Sequence, residues 1–138
     1  MPHFLVTFDD AAFTTDGGFD GCEIVGKDAI ELSKSMKASA PFPPGVIAFE
    51  SAQVSNDDAQ PENGEYKVFT SIVLRIEVKN EQEADRFEPP QELLGAVLER
   101  LQGLSDGALE NEGNWEVLGV EAVEPVRRAA ALKKASRL

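Results

Sequence analysis

Apolar and polar residues alternate through EYKVFTSIVLRIEVKN, residues 65–80, so that Tyr66, Val68, Thr70, Ile72, Leu74, Ile76 and Val78 fall on one side. Successive Cβ atoms of a strand point to opposite faces, and a period of two therefore marks a strand. The other side carries Lys67, Ser71, Arg75, Glu77 and Lys79, interrupted by Phe69 and Val73, which predicts a strand buried fully on one face and partly on the other. GVIAFESAQV (45–54) predicts its partner across the polar loop SNDDAQPENG. HFLVTFD (3–9), rich in aromatic and β-branched types, predicts a first strand. NWEVLGVEAVEP (114–125) predicts a last one, with Leu118, Val120 and Ala122 on one face and Trp115, Val117 and Val123 on the other.

Two segments change period. Val25, Ala29, Leu32 and Met36 recur at helical spacing, which predicts a short helix over about 27–38, ended by APFPPG (40–45). Leu93, Leu94, Val97, Leu98, Leu101 and Leu104 predict an amphipathic helix over about 90–104, with Pro90 in a first turn that does not need its N–H. TTDGGFDG (14–21) and GLSDGALENEGN (103–114) are turn-rich breaks, and NEQEADRFEPP (80–90), polar and closed by two prolines, predicts a connector or lid-like loop. The resulting order is β-α-β-β-α-β with a basic tail that can form a terminal helix. It predicts an α+β fold in which helices cover one face of an antiparallel sheet, the split-βαβ or ferredoxin-like arrangement. A single domain over 1–125 and a tail at 126–138 are the expected divisions.

Charge is segregated along this pattern. Residues 1–124 hold all 25 acidic residues and eight of the thirteen basic ones, a formal −17, and the last fourteen residues add +5 with no acid. So acidic a body repels phosphate and anionic lipid, so neither direct nucleic-acid binding nor membrane association is expected. It would attract a basic partner, and it also keeps the surface solvated. On a projection at about 100° per residue, Arg127, Lys133, Lys134 and Arg137 of EPVRRAAALKKASRL fall within an arc of roughly 120°. Arg128 lies apart, four residues from Glu124, and the other face is mainly Ala129, Ala131, Leu132, Ala135 and Leu138. The four clustered cations are candidate partner contacts on an arm that docks on an acidic surface, the nearest being another copy of the chain. No apolar run approaches the ~20 residues a membrane span needs. The first residues lack a basic segment before their apolar run, and the single cysteine, Cys22, allows no intrachain disulfide. A cytosolic setting without secretion is the expectation.

Candidate chemistry is sparse. GCEIVGKD nearly satisfies a phosphate loop through Gly21, Gly26 and Lys27, but Asp28 stands where a hydroxyl should hold magnesium and puts negative charge beside phosphate. The expected reading is a strand-to-helix turn with Asp28 favouring the helix N-terminus. A calcium loop beginning at Asp16 has Asp20 and Gly21 in register, but Gly18 and Lys27 occupy two ligand positions, leaving Asp16, Asp20 and Glu23 as at most an incidental cation contact. His3 is the only histidine and reads as an ordinary surface residue; Cys22, between Asp20 and Glu23, reads as a small apolar filler whose thiolate is disfavoured. The acid pairs Asp9-Asp10 and Asp57-Asp58, with Glu81, Glu83, Asp85 and Glu88, single out no catalytic couple. Phe49, Phe69 and Trp115 would suit an RNA-binding sheet, yet Glu50, Glu65, Glu77 and Glu116 surround them. No enzyme, cofactor or metal site is expected.

Taken in order, the strand YKVFTSIVLRIEVKN, the helix PQELLGAVLERLQGL and the closing strand NWEVLGVEAVEPV resemble the tail-terminator and tail-completion (neck) proteins of long-tailed phages, over about residues 45–124. The resemblance implies a small α+β virion protein that forms a ring, usually a hexamer, capping the tail tube and meeting the head connector. It implies no catalytic residues and a place in the virion or the cytoplasm. A different class also fits the charge: an acidic inhibitor or nucleic-acid mimic that occupies a basic groove on another protein. In either case the contact surface is expected to include the 55–65 and 80–90 loops and the tail.

Overall fold

The alternating segment around Leu74 is the spine of the molecule. The computed structural model describes residues 1–14, 22–56, 66–103, 109–111 and 115–124. Along the described chain run β1 (His3–Thr14), β2 (Glu23–Ile24), α1 (Gly26–Ser39), β3 (Val46–Asn56) and β4 (Tyr66–Glu77). They are followed by α2 (Glu81–Asp85), α3 (Gln91–Gly103), β5 (Leu109–Asn111) and β6 (Glu116–Val123). The fold is α+β, with an antiparallel sheet ordered β2-β3-β4-β1. The far edge of β1 is shared: β5 pairs with its residues 12–14 and β6 with its residues 3–9. The short β2, α2 and β5 have no counterpart in the order expected from the sequence.

Thr70, Ile72, Leu74 and Ile76 of β4 are fully buried, and Phe69, Ser71, Val73, Arg75 and Glu77 between them are half-buried. The buried face continues through Phe4, Val6 and Phe8 of β1, and against it lie Ala29 of α1 and Leu93, Leu94, Val97, Leu98 and Leu101 of α3. Leu32 and Met36 extend the α1 stripe. Val25 does not join it. It precedes the helix on extended backbone (φ −137°) and is 45% exposed.

Two strands break the period of two. In β3 the buried residues are Val46, Phe49, Ala52 and Val54, because register shifts between Val46 and Ala48 and between Phe49 and Ser51 each insert one residue. In β6 a shift opposite Thr7/Phe8 leaves Leu118 as the extra residue, 67% exposed. Trp115, Val117 and Val120 consequently all pack on the core, which corrects the expected division of this strand into a Leu118/Val120 face and a Trp115/Val117 face.

The segment 80–90 is likewise no simple connector. Asn80 caps α2, its Oδ1 accepting from the Glu83 N–H at 2.9 Å, while Glu83 Oε2 accepts from the Lys79 N–H at 3.0 Å. Ala84 is buried, and the Phe87 ring lies so close to Gly45 (φ +90°) that a Cβ there would meet it at 3.1 Å. The segment is clamped against the β3 entrance. At the outer edge of β3, beyond the reach of β2, the Phe49 N–H donates to Ser33 Oγ of α1 at 3.1 Å. One polar atom is stranded among the described residues: Thr70 Oγ1, buried without a partner.

Candidate interaction surface

The helices cover one face of the sheet and leave the other bare among the described residues. Register aligns the bare face into rows across the strands. Ser51, Val73, Thr7 and Gly119 stand side by side on β3, β4, β1 and β6. One row toward the start of β1 lie Ala48, Arg75, Leu5 and Glu121, and one row the other way Gln53, Ser71, Asp9 and Glu116. The middle row is made of small side chains, and a Cβ added at Gly119 would meet nothing within 4 Å. A trough of about 470 Å³ results, lined by Leu5, Thr7, Glu50, Ser51, Val73 and Glu121 with Gly119 and Val120 at the β6 end.

Carboxylates stand on both banks. Glu50, the inserted residue of the second β3 bulge, reaches over β4 so that Arg75 Nε donates to its Oε1 at 2.8 Å. Arg75, whose side chain is 15% exposed, also donates from Nη1 to the Glu124 carbonyl at 3.3 Å and contacts His3 Nδ1 at 3.5 Å. The other ring nitrogen of His3, Nε2, lies 3.3 Å from Glu77 Oε2. His3, with a side chain only 12% exposed, is therefore a bonded member of a charged cluster and not the ordinary surface residue expected of it. On the opposite bank Ser71 Oγ donates to Asp9 Oδ1 at 3.0 Å, and Glu116 is exposed. One arginine among these carboxylates leaves the face acidic, a field that attracts cations.

The remaining expectations distribute unevenly. Arg127, Lys133, Lys134 and Arg137, residues 57–65, and Asp16 and Asp20 lie outside the described residues. Lys27 and Asp28 are exposed on the first turn of α1, Glu23 is exposed, and Cys22 packs against the core. Phe49 is buried rather than presented on the sheet, so the aromatic platform that RNA stacking needs is not built from it. Among the described residues no group of three His, Cys, Asp or Glu side chains is placed to hold a metal, and no helix is long and apolar enough to cross a membrane. Besides a concavity between α1 and β3 that includes Ile30, Ser33, Lys34 and Lys37, two further ones lie on the helical side. One, of about 360 Å³, is apolar and includes Met36, Phe42, Leu93 and Ala96 with Glu92; the other is polar and includes Glu23, Asp28, Glu31 and Arg100. The trough escaped the sequence reading because its row exists only once four strands are in register. Compared with protein-family models, with curated proteins and with solved structures, the chain matches none.

Proposed function

We propose that this is a non-enzymatic assembly protein that works as a homo-oligomer, in the manner of the phage tail-terminator and neck proteins it resembles. The observation that carries this reading is the bare sheet face: small half-buried side chains between banks of carboxylate, in a chain whose last fourteen residues hold five cations and no acid. The four cations Arg127, Lys133, Lys134 and Arg137 are the contact residues of the arm. In this reading the protomers form a ring, possible partners being a tail tube and a head connector, in a virion or in the cytoplasm. The neighbours β3-β4-β1-β6, all antiparallel, with α1 before β3 and α3 before β6, support a split-βαβ frame for such a protomer. The same carboxylates also favour a second reading, an acidic inhibitor occupying a basic groove.

Native mass separates the two. Sedimentation of the full chain should give about six times the 15.0 kDa protomer, and residues 1–124 alone should give a smaller species. A full chain that stays monomeric and displaces DNA from a basic protein would replace the assembly reading with the inhibitor.

A further inference from the structure

We infer that the acceptor for the C-terminal arm is the transverse trough of the open sheet face, and that its occupant is the arm of a second copy. This rests on the assembly reading above and adds the place where the arm binds.

Four lines of physical fit support the pairing. The first is size. Rows on one face of a strand repeat about every 6.8 Å, so the banks on either side of the middle row stand about 13 Å apart, enough for a helix about 10–12 Å across. Four strands about 4.8 Å apart make the trough about 15 Å long, and a helix over the last thirteen residues would extend about 20 Å. The second is surface chemistry. Ala131, Leu132, Ala135 and Leu138 share one arc of the arm, and small apolar side chains let a helix settle close to Thr7, Val73 and Gly119. The third is charge. Glu121 and Glu116 are exposed on opposite banks within reach of lysine and arginine side chains. The apolar cleft between α1 and α3 offers only Glu92 among its lining residues.

The fourth is direction, and it selects a second copy. The Arg75 bond to the Glu124 carbonyl fixes where β6 ends. Pro125 follows, and a residue before proline is held in extended backbone. β6 itself runs from the Glu116 bank across the middle row to the Glu121 bank, so its described end at Glu124 points out of its own trough.

The test uses the full chain carrying Gly119→Phe, whose Cβ would meet nothing within 4 Å and whose ring would occupy the β6 end of the trough, and separately Glu121→Lys. Gly119→Phe should lower the native mass to that of the tail-less chain while leaving the thermal midpoint unchanged. Glu121→Lys should weaken association at least tenfold at low salt, and Lys133→Glu/Lys134→Glu on the same chain should restore it. Mixing the Gly119→Phe chain, which keeps its arm, with residues 1–124, which keep the trough, should give a two-chain complex. If removing the arm dissociates the protein but both trough variants keep the wild-type mass, this acceptor is wrong and the assembly reading survives. If removing the arm changes nothing, the assembly reading fails and takes the acceptor with it. No complex on mixing, with each trough variant monomeric, would mean that the arm folds onto its own sheet and would overturn the exchange between copies. Should Gly119→Phe fail to fold, the charge reversal and its restoration decide alone.

Discussion

The two faces of the sheet are made from alternate residues of the same strands, and they are held by different forces. On the covered face Phe8, Ile72, Leu74 and Ile76 are sealed beneath the helices with no access to water. On the open face Thr7, Ser71, Val73 and Arg75 keep partial access, and the specific interactions are hydrogen bonds and ion pairs. Burial supplies the stability on the first, and hydrogen bonds and ion pairs fix the side chains of the second. Neighbouring residues of a single strand should therefore respond to substitution quite differently.

The largest contrast is between Leu74 and Val73. Leu74→Ala should destabilise by about 2–5 kcal/mol, since it empties part of a packed core. Val73→Ala, one residue away on the open face, should lose less than about 1 kcal/mol, and urea unfolding of the two variants checks the difference. Equal losses would mean that the open face is covered in the isolated protein. Next comes Arg75→Met, which deprives Glu50 and the Glu124 carbonyl of their donor and removes the guanidinium beside His3. A loss of about 1–3 kcal/mol is expected by chemical denaturation. The smallest effect runs the other way. Thr70→Val replaces an unpartnered buried hydroxyl with a methyl of the same shape and should stabilise by about 1 kcal/mol. Ser71→Val, on the open face, should not stabilise, because its hydroxyl is bonded to Asp9. The thermal midpoints of these two single variants sharpen the comparison to one pair of adjacent residues.

What was legible in the sequence follows from the same contrast. The covered face announces itself: from Thr70 to Ile76 β4 buries the alternate residues its pattern marks, and α3 buries five of the leucine and valine positions at helical spacing. Where one inserted residue resets the alternation, as at Leu118 or in β3, the pattern misassigns faces, since a bulge depends on the partner strand and leaves no mark in composition. The helix α2 buries only Ala84 and so has no apolar stripe, although Asn80 followed by Glu83 is a capping signature that could have revealed it. The open face was the least legible part. His3 meets Arg75 and Glu77, more than seventy residues away in sequence, and the trough needs one residue from each of four strands.

The hydrogen bond from the Phe49 N–H to Ser33 Oγ has a consequence for how such a protein survives crowding. A strand edge with free amides is a template on which further chains can zip into fibrils. Ser33 occupies a donor on a stretch of β3 that β2 leaves open, and the bulges on either side of Phe49 spoil the straight register that stacking requires. At the opposite border, Leu118 interrupts β6 between Glu116 and Glu121 in the same way. Copies of the chain that meet are thereby steered toward contacts made by side chains, and kept from those in which backbone alone would suffice.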